Sequence, residues 1–382
     1  MEVTGSADLA GRRAALDAAM DARGAWPRRS PWIRDAVTAL PRDRFAPDRL
    51  WRWDGYAYEP LDRQGDGDLW ARELYAGPDD ATVTQVTDGL ATSSLSSTGV
   101  VVDMLDSLLL EPGHRVLDLG TGYGWNAALA AYRAGPGRVT GVEVDATLAA
   151  AARPHLRRAR LEVRVEVGDG ARGWAGRAPY DRVVATYAVD RVPWAWIEQC
   201  TPGGRLVTPW GRLGHVALTV ADDTSQATGW MQGLAQFMPA RAESRAAPAF
   251  REIRAVAPAA HVSALERDLG PLRDDWDLLF TLRVALPDVR ITTAVDEDGT
   301  SAWLHDGRAS WASLSARPSG GVLVHEGGPR RLAAELDTSW AAWVEHGRPG
   351  VYDYGMTVRP GEQYVWCRDP DTGPRWPTAA TT

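Results

Sequence analysis

Apolar residues along this chain come in short blocks that alternate with longer segments of helical period. Val116–Leu119 is a compact apolar run that breaks into glycine at every second position, Gly120, Gly122 and Gly124, and is followed by the helical run Ala127-Ala-Leu-Ala-Ala-Tyr132. Similar blocks follow at Arg138–Asp145, Val163–Gly170 and Tyr180–Tyr187, and Thr201-Pro-Gly-Gly-Arg-Leu-Val-Thr208 reads as a glycine turn feeding a fifth strand. Strands alternating with helices in this order predict an α/β fold with a doubly wound parallel sheet. Later, Thr281–Leu286, Ser301–Leu304 and Gly321–Val324 read as strands. Pro329–His346 reads as an amphipathic helix, because Leu332, Leu336, Trp340 and Trp343 recur at i, i+4, i+8 and i+11. Gly347-Arg-Pro-Gly350 stops it, and Tyr352–Trp366 reads as a hairpin across Arg359-Pro-Gly-Glu362. Three segments result: a helical N-terminal part with a Trp-rich insert (1–80), a Rossmann-like part (81–225) and an α+β C-terminal part (226–382). A chain of 382 residues is long enough for two or three domains.

The glycine break carries chemistry. A strand that turns through glycines into a helix exposes backbone N–H groups to a ligand, and the missing Cβ atoms let that ligand approach. Glu143 ends the next strand about 20 residues on, where an acid grips a ribose. Dinucleotide folds use G-x-G-x-x-G, whereas here the spacing is G-x-G-x-G and Trp125 stands in place of the last glycine. Asp118, inside the end of the first strand, suits an amine-bearing ligand better than a pyrophosphate. Asp169, between Gly168 and Gly170, ends the third strand. Acids at three successive strand ends followed by Pro-Gly-Gly resemble the class I S-adenosylmethionine methyltransferases.

Within that class, Leu108–Ala128, Gly168-Asp-Gly-Ala-Arg-Gly-Trp174, Ala178-Pro-Tyr-Asp181 and Ile197–Leu206 resemble the protein-L-isoaspartate O-methyltransferases. Upstream, Ala39-Leu-Pro-Arg-Asp-Arg-Phe-Ala-Pro47 is similar to that family's VPR-x-x-F-x-P segment. The family lines its acceptor pocket with Thr-Ile-Ser-(Gln/Ala)-Pro. Here the matching stretch is Ser94-Leu-Ser-Ser-Thr98, which keeps the serine at Ser96 and replaces the proline by Thr98. That departure implies a rebuilt acceptor pocket. The C-terminal half, with its ending Gly347–Trp366, is similar to actinobacterial methyltransferases that accompany ATP-grasp maturases of ribosomally made, crosslinked peptides (graspetides).

Composition sets bounds. The chain contains no Lys, so its 42 cations are all Arg, which removes Schiff-base and lysine-base chemistry. A net charge of −8 argues against a nucleic-acid partner. Cys200 and Cys367 are the two cysteines; they suggest no metal site or disulfide framework and read as buried small hydrophobes. The N-terminus lacks the regions of a signal peptide and no run reaches membrane-spanning length, so a cytoplasmic protein without a membrane partner is expected. Among 18 Trp, those at 51, 53 and 70 read either as an aromatic wall for a peptide groove or as core packing.

The resemblance implies S-adenosyl-L-methionine as cofactor, no metal and an enzyme that methylates a carboxyl oxygen. Asp118, Gly120, Thr121, Gly122, Gly124 and Trp125 would surround the methionine part, Glu143 and Val144 the ribose, and Gly168, Asp169, Gly170 and Thr186 the adenine side. Ser96 would aim the acceptor carboxylate, with Ser94, Ser97 and Thr98 as neighbouring candidates. Three acceptor readings follow. The first is an Asp of a crosslinked precursor peptide, methylated and then closed to an aspartimide, in a pathway with an ATP-grasp maturase. The second is isoaspartyl repair of damaged proteins. In the third the protein escorts the precursor without catalysis.

Overall fold

A computed structural model describes residues 8–211, 213–241, 248–317 and 320–378. Its centre is a ten-stranded mixed sheet. Five strands run parallel in the spatial order Val163–Val167, Val139–Glu143, Val116–Leu119, Tyr180–Ala185 and Cys200–Trp210. The sheet then continues antiparallel through Gly214–Val220, Ala227–Leu234, Tyr354–Arg359, Glu362–Cys367 and Arg375–Pro377. The division expected near residue 225 therefore falls inside a hairpin of this sheet, and residues 354–377 return to extend it.

The strand Val116–Leu119 is buried along its whole length, as a central parallel strand must be. Chain order reverses between it and Tyr180–Ala185, and such a switch point opens a crevice at the carboxyl ends of the strands. The glycine turn becomes the N-terminus of helix Trp125–Ala134, with Gly124 at φ +92°. A Cβ there would also press on Ala152 and Leu156 of helix Ala146–Arg158, so glycine is required twice over.

A second sheet of four strands precedes the Rossmann part, in the order Tyr58–Asp62, Arg49–Trp53, Thr82–Thr87 and Leu90–Leu95. Helix Gly67–Leu74 packs on strand Tyr58–Asp62, helix Leu9–Ala22 lies against that helix, and helix Trp32–Ala39 packs on Trp125–Ala134, so the Trp-rich insert is a hairpin and a helix. Trp70 is fully buried and its indole N–H donates to the Pro47 carbonyl at 3.1 Å, whereas Trp53 is 52% exposed. The third sheet, five antiparallel strands within residues 259–327, is covered on one face by helices Trp276–Ala285 and Leu332–Glu345.

The run Thr281–Leu286, expected as a strand, lies at the end of the first of these helices. A short apolar run fits either element by composition. Asp275 decides the matter, because its carboxylate accepts the Leu278 N–H at 3.0 Å and caps the helix. The other C-terminal expectations hold: Leu332, Leu336, Trp340 and Trp343 are buried on one face, and Arg359 pairs with Glu362 across the hairpin turn. Among the described residues no helix is long and apolar enough to cross a membrane.

Candidate active site

At the carboxyl end of the parallel strands lies a cavity of about 550 Å³, within the range of roughly 300–1,000 Å³ for small-molecule and cofactor sites. Gly120 and Gly122 form its floor, Glu143 and Val144 one side, Asp169 and Gly170 another, and Thr186 and Tyr187 close it behind. These residues come from the ends of four successive strands, so the sheet itself places them. Gly120 (φ +82°) admits no side chain, because a Cβ would stand 2.8 Å from the Tyr187 ring and 2.9 Å from Thr186 Oγ1. Thr186 Oγ1 in turn donates to the Gly120 carbonyl at 2.7 Å and fixes the turn.

Glu143 is 5% exposed. Its carboxylate accepts the N–H groups of Gly122 at 2.8 Å and Asp145 at 3.0 Å. A carboxylate has about four acceptor positions, so two stay open toward the cavity for a diol. The Asp169 carboxylate accepts the Ala171 N–H at 2.9 Å, and the Gly170 carbonyl accepts the Trp196 indole N–H at 2.7 Å. Gly168 lies behind this wall against Trp174.

Asp118 is placed differently from the expected ligand contact. It is fully buried below the glycine turn and is not on the cavity wall. One oxygen accepts Asn126 Nδ2 at 2.6 Å and the other accepts Thr121 Oγ1 at 2.9 Å. Burial pushes its carboxyl up to about 6, with the two hydrogen bonds opposing that rise. Asp118 and Thr121 therefore shape the turn from beneath. Trp125 likewise turns away from the cavity: its indole N–H donates to the Leu40 carbonyl at 2.8 Å and its ring lies under the Arg42 guanidinium.

The opposite wall is the strand Leu90–Leu95, through Thr92, Ser93 and Ser94. Ser94 thus reaches the cavity, while Ser96, Ser97 and Thr98 do not line it. The Ser96 carbonyl accepts Arg42 Nη2 at 3.1 Å, Ser97 is the N-cap position of helix Thr98–Ser107, and Thr98 is buried at its first turn. Ser93 was not among the sequence candidates. It is mostly buried, and its hydroxyl accepts the Thr84 hydroxyl at 3.1 Å, which leaves its own proton to donate.

A strap, Met238–Arg241, completes the enclosure. Its backbone runs beside Ala188, whose N–H donates to the Met238 carbonyl at 2.8 Å while Ala240 N–H donates back at 2.9 Å. Arg241 ties the strap across the rim, 3.1 Å from Asp145, 2.8 Å from Gln85 Oε1 and 3.3 Å from the Thr92 carbonyl. Burial acts against the Asp145 charge, but Gln85, two backbone N–H groups and Arg241 hold its carboxyl down to about 2. No sequence pattern marks this strap, since it reaches the site by pairing with a residue some fifty positions earlier.

A glycine floor that a Cβ would block, a buried acid with open acceptor positions and a second acid at the far end fit a nucleoside cofactor bearing an amino-acid tail. Comparison with known proteins agrees. A protein of Methylorubrum extorquens (strain PA1) named Protein-L-isoaspartate O-methyltransferase is 36% identical over 186 residues, covering 49% of this chain and 69% of that one. One of the same name from Halorhodospira halophila (strain DSM 244 / SL1) is 45% identical over 125 residues, covering 32% of this chain and 56% of that one. A solved protein-L-isoaspartate O-methyltransferase superposes with a TM-score of 0.52 at 19% identity, over 94% of this chain and all of the other, so the fold extends into the C-terminal half. The sequence profile described as Protein-L-isoaspartate(D-aspartate) O-methyltransferase matches residues 27–240. With that profile spanning more than half its length, the chain belongs to the protein-L-isoaspartate(D-aspartate) O-methyltransferase family, enzymes that draw their methyl group from S-adenosyl-L-methionine.

Proposed function

We propose that this enzyme methylates the free α-carboxylate of an isoaspartyl residue in a protein or peptide. The observation that carries this reading is the facing of two walls in one cavity: the glycine floor with Glu143 and Asp169 on one side, and Ser93 and Ser94 of the strand Leu90–Leu95 on the other. Bound S-adenosylmethionine supplies an electrophilic methyl group. The acceptor carboxylate is ionised near neutral pH, so the protein has no proton to remove, and among the described residues no His, Lys or Cys lines the cavity. The work left to the chain is alignment, which supplies roughly 7–11 kcal/mol in well-oriented reactions. Glu143 and Asp169 hold the nucleoside, and the serine strand aims the acceptor oxygen.

A second acceptor has support of its own. Thr98 replaces the family's proline, and residues beyond 240 lie outside the matched profile. These favour an L-Asp in a crosslinked ribosomal peptide that comes from an ATP-grasp maturase. On such a substrate the methyl ester forms first. The backbone nitrogen of the next residue then attacks the ester carbonyl, loses its proton and expels methanol, which closes an aspartimide.

Mass spectrometry separates the two. Incubation with S-adenosylmethionine and an isoaspartyl peptide is expected to add one methylene mass. Net loss of one water mass on a crosslinked peptide, with the isoaspartyl peptide untouched, would replace the first reading by the second.

A further inference from the structure

A second cavity, of about 240 Å³, lies on the far side of the acceptor segment and has no part in the methyl-transfer geometry. It is bounded by helices Leu9–Ala22 and Trp32–Ala39, by the turn at Arg42 and by Thr98. Leu16, Trp26, Val37 and Pro41 give it an apolar wall.

Two of its lining residues are left electrostatically incomplete. Arg42 is 1% exposed, and among the described residues no carboxylate lies within ion-pair distance of it. Its Nη2 donates to the Leu95 and Ser96 carbonyls, both at 3.1 Å, but Nε and Nη1 have no acceptor. Burial draws the guanidinium down to about 10. Thr98 is fully buried and its hydroxyl also lacks a partner. The other charges on the wall are spoken for: Arg13 is paired with Asp43, and Asp17 with Arg34. Asp80 acts on this guanidinium only through space, so what remains is a buried cation with no carboxylate in contact, which is costly unless something supplies one. A carboxylate oxygen takes a charge-assisted hydrogen bond from the open Nε or Nη1.

We propose that this cavity is a second substrate subsite, in which Arg42 and Thr98 hold a carboxylate side chain of the peptide while the target carboxylate lies in the cofactor cavity. The proposal rests on the reading that a peptide or protein is the methyl acceptor. Ser94 on one wall and Thr98 on the other are four residues apart, at most about 14 Å of chain. An extended peptide covers that span in the same number of residues, so the anchoring acid stands three or four positions from the methylated one. Because Arg42 also grips the Leu95 and Ser96 carbonyls, filling the subsite steadies the strand that aims the acceptor.

Two measurements on the full chain test this. In the first, 4-methylpentanoate and its amide are titrated calorimetrically without cofactor. The carboxylate is expected to bind at least about tenfold more tightly, as a hydrogen bond to a charged group should give. Arg42 also supports the acceptor segment, so its replacement risks the fold. Val37→Trp, which fills the cavity, and Thr98→Val keep the test open, and both should abolish or weaken the binding. Equal binding of acid and amide, or binding indifferent to Val37→Trp, would overturn the subsite.

In the second measurement, isoaspartyl peptides with Glu or Gln three or four residues from the target are compared as substrates. The Glu peptides are expected to show a KM about tenfold lower, an advantage that Val37→Trp removes while kcat holds. Identical KM values in the wild type would overturn the proposed use of the subsite. If no isoaspartyl peptide is methylated at all, the acceptor reading fails, and the titration still decides whether the carboxylate site exists.

Discussion

Asp118 shows how a residue can serve a cofactor site without touching the cofactor. Its carboxyl, raised to about 6 by burial, keeps its proton in the native state where an unfolded aspartate, at 3.8, has lost it. The native state therefore binds the extra proton between these values, and stability falls as pH rises through that window. The loss amounts to about 3 kcal/mol at 1.36 kcal/mol per pKa unit. Urea unfolding across pH 4 to 6 should show this decline in the wild type relative to Asp118→Asn, whereas a flat difference would mean an ordinary carboxyl. The serines are separable too. Ser94→Ala should lower kcat/KM roughly 10–100-fold, the size of a lost hydrogen bond to a charged group, without altering S-adenosylhomocysteine affinity. Ser96→Ala should do less, because Ser96 does not line the cavity. The reverse order in steady-state kinetics would mean that the strand shifts by one pleat when substrate binds.

Among the elements, the strap Met238–Arg241 matters most to the cofactor. Its ion pair with Asp145 is partly exposed, and such pairs contribute about 0.2–1 kcal/mol. Arg241→Met should therefore weaken S-adenosylhomocysteine binding by up to about fivefold, read by calorimetry, and an unchanged affinity would show the strap to be held by its backbone alone. The parallel strands and their terminal acids were legible in the sequence because period and glycine spacing are local signals. The strap was not, for it depends on a backbone pairing with Ala188 that no pattern announces. Helix Trp276–Ala285 is hidden for a different reason: Thr281–Leu286 fits a strand as well as a helix by composition, and the signal that decides, the Asp275 cap, lies six residues upstream. Ser93 and Ser94 meet the cavity and Ser96 does not, because Ser96 lies past the strand's last residue, Leu95, where the chain turns into helix Thr98–Ser107 and the Ser96 carbonyl is held by Arg42.

At the scale of the whole molecule, the ten-stranded sheet joins parts of the chain that the family profile separates. The profile ends at residue 240, yet strand Ala227–Leu234 is paired along its outer edge with Tyr354–Arg359. Tyr354, Met356, Val358 and Val365 are buried in the same core as Leu206 and Val216. A chain cut after residue 240 would expose that core and an unpaired strand edge, which is a template for aggregation. Sedimentation should find such a fragment aggregated, whereas a folded monomer would show that the C-terminal strands are dispensable to the catalytic half. The same junction also orders events in time. The hydroxyls of Thr228 and Thr357 meet at 3.0 Å although the residues stand 129 positions apart in sequence. Pairings so distant in sequence are slow to form. During synthesis at roughly 5–20 residues per second, the Rossmann half waits several seconds with one strand edge bare until its last partners leave the ribosome. Over that interval the bare edge makes the nascent chain a natural client for a chaperone.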